Sequence, residues 1–180
     1  MRRAAAALVF GSLLFVACDA GEPESGPDAQ PPVGDMLVGG AEADGSGFVQ
    51  LADGSDAVLV PGAQGGFHVW INVRVHGVAG PLFVERQARR QSDGALVLAG
   101  SRVLMEVPED AMADWWESPA AAPSFMCPAP VGLQVFDEPL IFRVVLSDDD
   151  GNILAEDDIV LIPRCPEGQH ADFCATICSG

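Results

Sequence analysis

The clearest pattern in the chain is a strict alternation over ten residues, Phe67 to His76. Phe67, Val69, Ile71, Val73 and Val75 fall in one phase, and His68, Trp70, Asn72, Arg74 and His76 in the other. A period of two places the two sets on opposite faces of a β-strand, the apolar set in a core and the other outward. Gly65-Gly66 and Gly77 punctuate its ends. Further strands are expected at Phe48–Leu51, Ala57–Val60, Pro81–Arg90, Leu96–Val107, Leu140–Leu146 and Ile153–Ile162, with a bend or bulge at Gly100-Ser101. Ser147-Asp148-Asp149-Asp150-Gly151-Asn152 joins the last two as a hairpin. Glu109–Trp116 is expected to start a short helix after Pro108, and the Pro- and Ala-rich stretch Ser118–Gly132 to be a long connection.

About seven strands, frequent turns and no helical stripe predict an all-β fold, an antiparallel β-sandwich. In shape, with Trp70 central and a hairpin last, the domain resembles the immunoglobulin-like modules of secreted bacterial proteins. Fold alone assigns no function.

The N-terminus follows a different pattern. Met1-Arg2-Arg3 is basic, and Ala4 to Ala17 is an uncharged apolar run of 14 residues. A spanning helix needs about 20 apolar residues, so this run is too short to anchor the chain but suits the core of a secretion signal. Its end, Leu13-Leu14-Phe15-Val16-Ala17-Cys18, resembles the lipobox of bacterial lipoproteins. Val16, Ala17 and Cys18 fit that pattern, whereas Phe15 stands where Leu, Val or Ile is usual. The resemblance covers only these first 18 residues. It implies lipid on the Cys18 thiol, cleavage before it, and a protein held to a bacterial membrane, either the outer membrane or the periplasmic face of the inner one. Asp19 is similar to an inner-membrane retention signal of some Gram-negative lipoproteins, which leaves the choice of membrane open.

Between Ala20 and Gly47 the chain is rich in Pro and Gly, and its charged residues are all acidic. With little apolar surface to offset ordering entropy, it is expected to be a disordered, self-repelling tether. Its one apolar group, Met36-Leu37-Val38, is expected to add a short strand or dock on the domain. The predicted organisation is therefore a signal peptide at 1–17, lipidated cysteine and tether at 18–46, a β-sandwich at 47–164 and a Cys-rich tail at 165–180.

Composition adds a strong acidity. Nine Arg and no Lys face 26 acidic residues, for a net charge of −17. This excludes nucleic acid as a partner, because phosphate contacts need Lys and Arg, and it excludes attachment to anionic lipid by charge alone. Arg86, Arg89 and Arg90 form the one basic cluster beyond the signal, expected as a solvated strand end or a dock for an anionic partner.

Five cysteines are present. With Cys18 carrying lipid, Cys127, Cys165, Cys174 and Cys178 remain, an even set that predicts two disulfides in an exported protein. Their pairing is open, although a bridge from Cys127 to the tail would staple the long connection. Cys165, His170, Cys174 and Cys178 also offer a tetrahedral metal site; the missing C-x₂-C pair and an oxidising compartment favour disulfides.

No catalytic motif is found: no G-x-S-x-G, H-E-x-x-H or phosphate-binding glycine pattern. His68 and His76 share a strand face about 26 Å apart and cannot hold one metal; both are expected as solvated face residues. The Asp148–Asn152 loop fails the EF-hand pattern, since Leu146 stands at its first ligand position. Trp115 and Trp116 are candidate ligand-binding residues, because exposed indoles stack on sugars; adjacent in an extended chain, the two cannot both point inward. The sequence thus predicts a non-enzymatic, lipid-anchored envelope module with no cofactor, whose partner is a protein or a glycan. Carbohydrate binding through Trp115 and Trp116 and metal binding through the tail are the alternatives.

Overall fold

The computed structural model describes residues 33–180, so the signal peptide, Cys18 and the first part of the tether lie outside the described residues. Ten strands form two sheets. β4 (Phe67–His76) is the axis of the first, with the bounds its alternation predicts. β1 (Asp35–Gly39) and β3 (Val60–Pro61) pair with it, and so do β7 (Trp116–Glu117) and β8 (Ala122–Cys127). β1 and β7 both meet Arg74 and Val75, and β3 and β8 both meet Phe67 and His68, so each pair flanks β4 on opposite edges.

The second sheet has the order β2-β10-β9-β5-β6. These strands are Ser55–Val58, Ile153–Arg164, Leu140–Ser147, Gly80–Arg90 and Leu96–Val107. All pairs are antiparallel except β2 with β10. Strands 4 and 8 in one sheet against 5, 9 and 10 in the other is the division of an immunoglobulin-type sandwich. The expected fold class holds.

The core lies between the sheets. Phe67, Val69, Ile71, Val73 and Val75 face Leu82, Val84 and Ala88 of β5 and Leu140, Phe142, Val144 and Leu146 of β9. Burying each large member contributes about 1.5–3 kcal/mol, and the period-two pattern puts them all on one side. The β5–β6 register slips near Gly100, where the bulge is expected.

Several expectations are corrected. The tether does not run to residue 46. Met36 and Val38 are buried and β1 pairs with β4 over five residues, so the folded unit includes Asp35–Gly39. Two apolar residues at spacing two suffice because β4 supplies the other half of the ladder. Phe48–Leu51 is not a strand; Val49 makes only an isolated bridge to Gly40. Ser118–Gly132 is not only a connection, since β8 within it pairs with β4. The strands number ten rather than about seven, because short segments line both edges of β4. The expected helix is a single 3-10 turn, Glu109–Met112. Trp70 lies on the outer face of β4, as its phase in the alternation predicts.

That outer face is itself covered. The Gly- and Asp-rich segment 40–50 folds back over it. Asn72 Nδ2 donates to Gly47 O and Ser118 O, and Trp70 Nε1 donates to Ala43 O at 3.2 Å. Gly45 sits at φ +85°, where a Cβ would stand only 3.0 Å from the indole. The Ala43 and Gly47 carbonyls thus accept from Trp70 and Asn72, two residues that the alternation alone assigns to solvent.

The tail is folded too. A short helix, α1 (Ala171–Ile177), is tied down by Cys127–Cys178 and Cys165–Cys174. Val135 N donates to Cys178 O, Ala129 N donates to Ile177 O, and the Phe173 ring lies 5.9 Å from Phe67.

Candidate functional site

A basin of about 400 Å³ lies on the outer face of the second sheet. Alternation on β5 sends Leu82, Val84 and Ala88 inward and Glu85 and Gln87 outward; β9 does the same with Arg143, Val145 and Ser147. Register then sets Glu85 between Arg102 and Val145, and Gln87 opposite Arg143. The β9–β10 hairpin walls one end with Gly151 and Ile153. Asp148 holds that turn by accepting from Asn152 N and Nδ2, both at 2.8 Å, and these bonds lower its pKa.

Arg102 of β6 also lines the basin and reaches the hairpin turn. Its guanidinium lies 3.8 Å from the Phe83 ring centroid and donates to Asp148 O at 3.4 Å. Stacking on an aromatic face orients the planar fork while leaving donors free. Arg143 donates to Glu156, which raises its pKa, and Asp158 beside it is raised chiefly by burial. The lining offers fixed donors and acceptors for a polar ligand. Its one hydroxyl, Ser147, has no histidine in the lining to act as a base.

The predicted site residues do not converge. Trp115 is 40% exposed and Trp116 is partly buried against the core, so they form no paired platform. The Trp115 ring instead lies 5.6 Å from His76 and 5.6 Å from the Arg74 guanidinium. The arginine cluster also disperses. Arg86 turns into the interior, Arg89 donates to Gln87 and Gly94, and Arg90 pairs with Asp93. That pairing holds the exposed Asp93 carboxyl at about 2. The tail sulfurs of Cys165, Cys174 and Cys178 do lie within 4.8 Å of one another. All are spent in the two disulfides, however, and His170 is exposed and outside the cluster. The tail therefore serves as a staple in this structure rather than as a ligand set.

His68 is not a solvated face residue. It is 5% exposed, stacked edge-on against Trp70 at 4.3 Å, with Phe125 at 5.6 Å and no partner on either ring nitrogen. Burial lowers its pKa below the ordinary 6.5. Below pH 6.5 the unfolded chain takes up a proton that the folded ring resists, so stability falls as pH drops from there toward the folded pKa. Thermal unfolding at pH 5 and pH 7.5 should show a smaller acid loss in His68→Phe than in the wild type. An equal acid loss in both would refute the assignment.

No family model matches this sequence, and the search of curated proteins finds no relative. Among solved structures, a glycosyl hydrolase family 2 member from Bacteroides cellulosilyticus DSM 14838 is similar at TM-score 0.40 and 13% identity over 71% of this chain. A calcium binding mutant of Bacteroides uniformis beta-glucuronidase 2 is similar at TM-score 0.35 and 10% identity over 72%. This chain spans 15% and 14% of the lengths of those two chains.

Proposed function

We propose that this protein is a lipid-anchored, non-enzymatic binding module of the bacterial cell envelope. It is held to the outer membrane or the periplasmic face of the inner membrane by acyl chains on Cys18. Its folded domain meets an envelope protein or glycan, and the basin lined by Glu85, Gln87, Arg102 and Arg143 is the surface it offers. A glycan would meet that basin rather than the separated Trp115 and Trp116.

One observation carries this reading. The four cysteines of the described domain pair with one another, so none remains to partner Cys18. The leftover thiol stands directly after Val16-Ala17, at the end of an apolar run too short to span a bilayer. A thiol at that place in a disulfide-forming protein suits a covalent lipid better than a fifth structural role. Intact mass spectrometry of detergent-extracted protein is expected to give residues 18–180 plus acyl chains on an N-terminal cysteine. A mature chain that begins elsewhere, or an unmodified Cys18, overturns the proposal.

A further inference from the structure

The most anomalous group in the fold is Arg86. It is 1% exposed, in a chain with 26 acidic residues, yet no carboxylate pairs with it among the described residues. Nη1 reaches Pro123 O and Ser124 Oγ at 3.4 Å, and Nη2 reaches Ser101 Oγ at 3.3 Å. All three bonds exceed the usual 2.7–3.2 Å range for N–H···O. Nε has no partner. Burying a guanidinium with only long bonds to neutral oxygens is costly, and a buried charge is ordinarily paired.

A crevice leads to it. β6 is the edge strand of its sheet, and it lies across from β8 of the other sheet. Val84, Val103, Met105, Ile71 and Ala122 form apolar walls, Asn72 and Ser118 line it with side-chain donors already bonded to backbone carbonyls, and Arg86 lines the same space. Val103 belongs to the inward phase of β6, opposite Val84, and is nevertheless 42% exposed because nothing covers it at the mouth. The crevice measures about 80 Å³. At roughly 10–15 Å³ per water-sized probe position, that admits about five to eight non-hydrogen atoms.

We infer that this crevice is a binding site for a carboxylate carrying a short aliphatic group, with the carboxylate on Arg86 and the aliphatic part against Val84, Val103 and Met105. The anion supplies the charge the fold omits, and two parallel N–H···O⁻ bonds replace the long neutral ones. Apolar walls and a single buried cation favour this class over a multiply charged inorganic anion, whose remaining oxygens would face Val103 and Met105 unpaired. The site stands whether or not Cys18 carries lipid, and it is separate from the outer-face basin.

The test is saturation-transfer NMR of butyrate methyl protons with the full-length protein in detergent, against butyramide, which keeps the shape and lacks the charge. Butyrate is expected to give a saturable signal at least about tenfold stronger than butyramide, since hydrogen bonds to a charged group are worth that much. Acetate should compete and sulfate should not. Arg86→Met should abolish the signal. So should Val103→Trp, which fills the mouth from the exposed edge strand and leaves Arg86 in place. If Arg86→Met loses its near-ultraviolet circular dichroism, Val103→Trp decides alone. No saturable butyrate signal in the wild type overturns the site. So does butyramide binding as well as butyrate, sulfate competing as well as acetate, or a signal that survives Val103→Trp.

Discussion

Replacing Cys127 and Cys178 with alanine is expected to cost about 4 kcal/mol of stability, from a bridge that closes 51 residues of chain. Removing Cys165–Cys174, which closes only 9 residues, should cost about 2.5 kcal/mol on the same chain-entropy scale. The packing adds to the difference in the same direction. Cys127 sits on β8 opposite Phe67 of the central strand, and Cys178 is fully buried, so the longer bridge joins the tail directly to the first sheet. Without it, the tail is left to Cys165–Cys174, the Phe67–Phe173 contact and the bonds from Ala129 N to Ile177 O and from Val135 N to Cys178 O. For a domain of this size the loss should lower the unfolding midpoint by about 10 °C. Thermal melts of the two double variants, side by side, check both the size and the order. A Cys165→Ala/Cys174→Ala protein that melts at or below the other would show that the tail, not the sheet, is what the bridges hold.

What sequence reveals of this fold follows from how far each signal reaches along the chain. β4 is legible to the residue, and the β9–β10 hairpin to within two residues at its strand ends, because alternation and an Asp-rich, Gly-containing turn are local properties. β8 is not, because Ala122-Pro123-Ser124-Phe125-Met126-Cys127 has no alternation of its own and takes its order from β4. β1 is nearly hidden for the same reason: only Met36 and Val38 mark it within an acidic, glycine-rich run. Covering of the outer face of β4 cannot be read locally, since it depends on carbonyls of residues 43 and 47 reaching Trp70 and Asn72.

The candidate sites divide in the same way. The number of cysteines implies two bridges, but which thiols meet depends on α1 docking beside β8. Arg86 carried a usable signal. It stands in the phase of Leu82, Val84 and Ala88, so the period-two rule that buries those three also buries it. Reading it together with Arg89 and Arg90 as a surface cluster follows neighbours in sequence, whereas a strand sends adjacent residues to opposite faces. In the basin, Glu85, Gln87 and Arg143 are outward by the same rule, but only the β5–β9 register places them side by side.

Cys18→Ala is expected to move the protein from the detergent phase to the aqueous phase almost completely, while the domain keeps both disulfides and its unfolding midpoint. The reason is arithmetic on both sides of the change. Each acyl methylene buried in a bilayer contributes about 0.8 kcal/mol, and two or more chains are needed for stable anchoring, so losing the thiol removes nearly all the membrane affinity. The chain is strongly acidic, which opposes adsorption to anionic lipid, and among the described residues no helix is long and apolar enough to cross a membrane. Stability should not change because the 14 residues from Asp19 to Pro32 separate the proposed anchor from the first described position. Fully extended, those 14 residues reach about 50 Å, enough to carry the domain clear of the headgroups. The substitution keeps small side chains on both sides of the bond after Ala17, so the leader can still be removed there, and the variant's mature mass identifies the cut. A variant with its leader removed that still partitions into detergent would mean another part of the chain binds membrane. One that melts lower, or shows a free thiol among Cys127, Cys165, Cys174 and Cys178, would mean Cys18 belongs to the fold.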